Sequence, residues 1–225
     1  ENPFLGWRGI RISLDHPEIF LVQIRALLRA SEGLDNLRIM LPMISTITEL
    51  DDALDLIKRA HKELVSEDGY NIMMPPIGAM IEVPAAVYQV AEIGQRVDFL
   101  SIGTNDLVQY LLAVDRNNPR VAGLYDAFHP SVLRALKIIF EQAESVGCQL
   151  SVCGEMAGSP HGAVLLFGMG YKNLSMSATA LLRVKATLLA TSSDQAREIA
   201  SRASLMTDAS SVADFVSQSL EEIGC

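Results

Sequence analysis

The sequence has 225 residues, enough for one sizeable domain and hardly for two. A hydrophobic fraction of 49% supports a large core and excludes disorder, and no apolar run approaches the ~20 residues of a membrane span. The net charge of −9, with no Lys/Arg cluster, argues against nucleic acid or an anionic membrane as partner, but a few local arginines or a metal could still hold a small anion.

The start, Glu1-Asn2-Pro3-Phe4, lacks the basic-then-apolar order of a signal peptide. Cys148, Cys153 and Cys225 show neither a disulfide framework nor metal-ligand spacing, so a reducing, cytoplasmic setting is expected. The chain opens in a loop-like segment without an initiator Met and reads as a piece of something longer.

In chain order, residues 14–30 are predicted helical, with Asp15 as N-cap and Pro17 in the first turn. Residues 37–41 form a short strand stopped by Pro42. Thr46-Ile47-Thr48-Glu49 matches a capping box that opens a helix to about Val65. A buried strand follows over 77–82, then a helix over 84–93, a strand over 97–102 and a helix over 106–113. Pro130 starts a helix that Gly147 ends. The fourth strand covers 149–153, a helix spans 160–168, and the fifth strand covers 173–177. Helices fill 179–222, with breaks near Ser192 and Thr207. Apolar strands alternating with helices predict an α/β fold with a parallel sheet, and the regular spacing places all of 1–225 in one domain. A doubly wound sheet and a barrel both fit the pattern, but five strands do not close an eight-stranded barrel.

The polar residues that stand out share one address, the C-terminal ends of these strands, where parallel α/β folds build their sites. Glu82 ends the second strand, Thr104-Asn105-Asp106 follows the third, Cys153-Gly154-Glu155 ends the fourth and Ser177 the fifth. Glu82 and Asp106 suit magnesium, which takes one or two carboxylates plus water and phosphate oxygens. Equally, Glu82 could pair with an arginine and Asp106 could cap its helix. Asn105 and Asp106 begin a helix whose amides favour anions, and Arg116 lies just beyond it, either returning charge to that anion or solvated. Arg8, between Gly6 and Gly9, could grip an oxyanion or stack on Trp7. Cys153 could be small core or a proton donor. His16, His61, His129 and His161 are scattered away from the strand ends.

Six segments then occur in order: Asn2-Pro3-Phe4-Leu5-Gly6-Trp7-Arg8-Gly9-Ile10-Arg11, Ile39-Met40-Leu41-Pro42-Met43, Gly78-Ala79-Met80-Ile81-Glu82-Val83-Pro84, Ser101-Ile102-Gly103-Thr104-Asn105-Asp106-Leu107, Cys153-Gly154-Glu155 and Leu174-Ser175-Met176-Ser177. Together they resemble the C-terminal domain of phosphoenolpyruvate-utilising enzymes. Gly6-Trp7-Arg8 and Leu111-Leu112-Ala113-Val114-Asp115-Arg116 resemble enzyme I of the phosphotransferase system, and Asp15-His16-Pro17-Glu18-Ile19-Phe20 and Arg116-Asn117-Asn118 resemble its nitrogen-related type. The resemblance implies a (β/α)8 TIM-type barrel with C-terminal helices, a homodimer that binds phosphoenolpyruvate and Mg2+ at the strand ends. It implies Glu82 and Asp106 as metal ligands, Arg8, Asn105, Asp106 and Arg116 as substrate-binding residues, and Cys153 as the acid that protonates the enolate carbon.

The implied activity is that of a phosphoenolpyruvate-protein phosphotransferase. Phosphate passes to a histidine on a separate N-terminal domain and then to a small phosphocarrier protein, and pyruvate is released. The family's Arg-Thr-Glu motif and a second strand-end arginine are absent here, so the expectation is a barrel lacking its first strands, binding phosphoenolpyruvate weakly and inactive alone. A dikinase or synthase parent and a non-catalytic dimerisation or sensing module are the competing readings.

Overall fold

The structure, a computed structural model, describes residues 4–67 and 69–224. Asn2 and Pro3 of the first motif and the cysteine Cys225 lie outside the described residues. The elements run α1 (Ile10–Asp15), α2 (Pro17–Ala30), β1 (Ile39–Leu41), α3 (Ile47–Ser66), β2 (Ile77–Ile81), α4 (Pro84–Val87), α5 (Val90–Gly94), β3 (Phe99–Gly103) and α6 (Thr104–Leu112). They continue as α7 (Pro130–Ser145), β4 (Gln149–Cys153), α8 (Pro160–Gly168), β5 (Asn173–Leu174), α9 (Ala178–Ala190), α10 (Ser193–Ala203) and α11 (Ala209–Ile223), with a short 3-10 turn at Ala122–Leu124.

Among the described residues all four strand pairings are parallel, and the sheet order is β1-β2-β3-β4-β5. Right-handed crossovers between sequential parallel neighbours put every connecting helix on the same face. This is the wall of a barrel rather than a doubly wound sheet, whose order reverses at a switch point. Alternation along the strands agrees. Leu41, Ala79, Ile81, Leu100, Ile102 and Val152 are buried, whereas Met40, one residue before Leu41, is 39% exposed. Met40, Met80, Ser101 and Cys153 thus hold the positions that alternate with the helix-facing residues.

The helices dock by apolar stripes. On α3 the buried residues Leu50, Ala53, Leu54, Ile57, Ala60 and Leu64 recur at helical spacing. Its start is fixed as expected: Thr46 Oγ1 accepts the Glu49 N–H at 3.2 Å, and Glu49 accepts the Thr46 N–H at 2.9 Å. Helix α8 is buried under α10, and Gly168 permits the approach, since a Cβ there would collide with the Ala196 carbonyl.

Several sequence expectations are corrected. The helix expected over 14–30 is two, because Pro17 has no N–H to donate and its ring cannot follow a helical turn. His16 takes φ −125°, ψ 65° at the break, and Asp15 caps nothing but accepts the Trp7 indole N–H at 2.6 Å. The helix over 84–93 also divides, at Tyr88 and Gln89, where the Gln89 amide reaches the Ser45 carbonyl at 3.1 Å. The fifth strand is only Asn173–Leu174, extended by one bond from Ser175 N–H to the Val152 carbonyl at 2.8 Å. His61, away from the strand ends as expected, is half-buried and bonds the Ile72 carbonyl at 2.8 Å. Among the described residues no helix is long and apolar enough to cross a membrane.

Candidate active site at the strand C-termini

Asp106 organises the site. It stands in the first turn of α6, which follows β3 directly with Gly103 as N-cap and no side-chain cap bond. Rather than capping its helix, Asp106 faces two arginines. Arg8 Nη2 lies 3.1 Å from Oδ2, and Arg116 Nη2 lies 3.8 Å from Oδ1. Asp106 is buried, and its Oδ1 accepts no hydrogen bond. Such an oxygen is costly unless something else meets it.

Arg8 comes from the turn before α1. It does not stack on Trp7, which is exposed and packs edge-on to His16 at 5.5 Å. Its guanidinium instead lies over the Phe4 ring at 5.6 Å, and Arg116 lies over the same ring at 6.0 Å. Partial burial works against the Arg8 charge, but Asp106, Tyr110 and Glu82 outweigh it and raise its pKa. Arg116 is carried back toward α6 by Ala113, a left-handed residue at φ 53° that ends the helix. The Arg116 N–H then donates to Gln109 Oε1 at 3.2 Å.

Glu82, one residue past β2, is also buried. Burial pushes its pKa up and Asp106 adds to this, while the Met43 N–H and Arg8 pull it down. The Met43 N–H donates to Glu82 Oε1 at 2.7 Å, and Met43 adopts φ 61° to aim it. An apolar residue held in the left-handed region is strained, and such strain concentrates at functional sites. Gly103 leaves room around the other oxygen, because a Cβ there would lie 2.8 Å from Glu82 Oε2.

At the end of β4, Cys153 is partly exposed and its Sγ donates to the Ile102 carbonyl at 3.3 Å. Ser101 Oγ donates to the same sulfur at 3.6 Å. Two bonds tie this strand end to α6: Thr104 Oγ1 to the Cys153 carbonyl at 2.8 Å, and Glu155 N–H to Asn105 Oδ1 at 3.0 Å. Gly154, at φ 110°, lets the chain turn against Thr104 where a side chain would clash. A cavity of about 430 Å³ opens here, lined by Asn105, Cys153, Gly154, Glu155, Ser175 and Ser177.

The residues singled out in the sequence therefore fall into two adjoining groups. Arg8 and Arg116 each meet Asp106, and Glu82 lies close enough to feel the charges of Asp106 and Arg8, while Cys153 and Asn105 line the cavity. Asn105, next to Asp106 in the chain, joins the groups. Sequence reasoning passed over Phe4, Met43, Gln109, Tyr110 and Tyr125. Of these Gln109 and Tyr110 carry a local signal, three and four residues after Asp106 and so on the same face of α6. Tyr125 donates to the Asn105 carbonyl at 3.4 Å; burial raises its pKa against the pull of Arg116, which hydrogen-bonds it.

The donor set suits a hard cation. Among the described residues no group of three or more His, Cys, Asp or Glu could hold a metal. Two buried carboxylates remain, with an unbonded oxygen on Asp106 and space kept at Glu82 Oε2. That fits an ion that keeps water and substrate oxygens as its other ligands.

Among solved structures, a citrate lyase from Burkholderia xenovorans LB400 superposes with a TM-score of 0.58 at 16% identity, covering 94% of this chain and 70% of that one. It shows the fold alone, α/β of the barrel type. A Salmonella typhimurium protein named "Phosphoenolpyruvate-dependent phosphotransferase system" is 52% identical over 202 residues, 90% of this chain and 27% of that protein. A "Phosphoenolpyruvate-protein phosphotransferase" of Staphylococcus epidermidis is 42% identical over 218 residues, 96% of this chain and 38% of that protein. The chain thus spans well under half the length of these relatives. The family model described as "PEP-utilising enzyme, PEP-binding domain" matches residues 1–193, and the chain belongs to that family.

Proposed function

We propose that this chain is the phosphoenolpyruvate-binding catalytic part of a phosphoenolpyruvate-protein phosphotransferase. The observation that carries the reading is the buried Asp106 carboxylate, flanked by Arg8 on one oxygen and Arg116 on the other beside a second buried carboxylate, Glu82. Phosphoryl transfer depends on positioning and charge neutralisation, and this rim offers both.

In this reading Arg8 and Arg116 turn their remaining N–H groups to the phosphate and carboxylate of the substrate, bidentate where geometry allows. Asn105 orients the substrate from the start of α6. Glu82 and Asp106 hold Mg2+, which when bound supplies positive charge to the phosphoryl oxygens. Cys153, at the cavity wall, gives its proton to the enolate carbon so that pyruvate leaves. The phosphoryl group passes to a histidine on a separate N-terminal domain and on to a small phosphocarrier protein. A homodimer in the cytoplasm, and the nitrogen-related type within enzyme I, complete the proposal. The last rests on residues 15–20 and 116–118 alone.

Incubating the full-length protein with Mg2+ and phosphorus-labelled phosphoenolpyruvate, without nucleotide, tests it. Acid-labile, base-stable label on histidine is expected. Labelling that requires adenine nucleotide would point instead to a dikinase or synthase, and no labelling would contradict the proposal.

A further inference from the structure

We propose that Tyr110 is a positioning residue that fixes Arg8 for the anionic substrate. The inference rests on the reading above, in which Arg8 meets that anion.

Tyr110 and Asp106 lie four residues apart on α6 and so project from one face. Arg8 bridges them, with Nη2 3.1 Å from Asp106 Oδ2 and Nη1 3.2 Å from the Tyr110 hydroxyl. One contact leaves a planar guanidinium free to turn about that bond; two contacts from different nitrogens fix its plane. The same hydroxyl donates to the Phe4 carbonyl at 2.7 Å. A guanidinium has only donors, so the hydroxyl meets Arg8 as an acceptor while its own proton points to Phe4 or, more distantly, to Met43 Sδ at 3.7 Å. Burial raises the Tyr110 pKa, which keeps the phenol protonated and that donation intact. The hydroxyl therefore pins the segment that carries Arg8 and the head group itself to one helix. The Phe4 ring beneath the guanidinium closes another side. Arg8 retains partial exposure, with 34% of its side chain open, so its other N–H groups stay available to a ligand.

The same hydroxyl bonds explain why loss of Tyr110 should read as loss of substrate binding and not as loss of fold. The ring of Tyr110→Phe keeps the apolar contacts and deletes only the hydroxyl. The experiment is a double-mutant cycle in the full-length protein, with KM and kcat for phosphoenolpyruvate and thermal melting measured for each variant. Tyr110→Phe is expected to raise KM about tenfold, the scale of one hydrogen bond to a charged group, with kcat within about twofold. In an Arg8→Ala background the same substitution is expected to add nothing. Tyr110→Leu removes the hydroxyl with a different shape, and its KM should rise as well. An unchanged KM in Tyr110→Phe, or an equal increment with and without Arg8, would overturn the inference while leaving the function standing. An Arg8→Ala variant with unaltered KM would overturn the functional reading, and the inference with it.

Discussion

The Met43 N–H donates to Oε1 of Glu82 at 2.7 Å, joining the loop after β1 to the end of β2 through a residue at φ 61°. Burial raises the pKa of this carboxylate, and the Met43 bond offsets only part of that rise. The direction of the shift gives a stability prediction with a definite sign. A carboxyl whose folded pKa is raised favours folding below its unfolded value and loses that contribution as pH rises through the folded value. Glu82→Gln keeps an acceptor for Met43 without the charge. Its melting temperature relative to the original protein should therefore rise as pH increases from the ordinary glutamate range toward neutrality, while phosphoryl transfer is lost. A difference that does not vary with pH would contradict the burial argument.

Gly103 keeps the space beside Glu82. Its φ of −84° is ordinary, so Gly103→Ala meets no backbone strain. Its new Cβ would lie 2.8 Å from Glu82 Oε2 and 2.9 Å from Met80 Sδ. Overpacking of this kind costs about 1–3 kcal/mol. The Mg2+ concentration for half-maximal transfer is expected to rise at least about tenfold, as for other disturbances around metal ligands. Unchanged Mg2+ dependence would remove Glu82 from the metal site.

Asp106→Asn leaves Arg8 and Arg116 without their shared counter-charge. Asp106 is buried but both arginines are about a third exposed, so the loss of stability should stay below the roughly 3–5 kcal/mol of breaking a fully buried pair. Phosphoryl transfer should fall at least about a hundredfold, as when a charge aimed at the reacting group is deleted. Measuring both on one preparation separates a functional carboxylate from a structural one.

Away from the site, Thr46→Ala removes half of the capping box at α3. The cost should be about 1 kcal/mol, seen as a lower denaturant midpoint with an unchanged slope. Transfer kinetics below the transition should not move.

The parts of this fold that could be read from the sequence were those encoded locally. The capping box at Thr46, the strand cores and the strand-end addresses of Glu82, Asp106 and Cys153 follow from short patterns, and the structure holds each in place. Local periodicity misled where a tertiary bond competed with the helix. Gln89 leaves the helical path to reach Ser45, and Asp15 serves Trp7 instead of α2. Phe4 and Met43 gave no signal, since their roles depend on a ring face and a backbone N–H that only the folded chain brings to Arg8 and Glu82. Barrel and doubly wound sheet gave the same alternation; only the sheet order separated them.

The most direct test of the account compares phosphoenolpyruvate binding with pyruvate formation in Cys153→Ala of the full-length protein. The Cys153 thiol bonds Ser101 and Ile102, whereas Arg8 bonds Asp106, so binding should stay within a few-fold of the original protein. Pyruvate formation should fall at least about a hundredfold, the usual contribution of a positioned acid. Pyruvate released at the original rate would contradict the assignment of Cys153 and the site chemistry built on it.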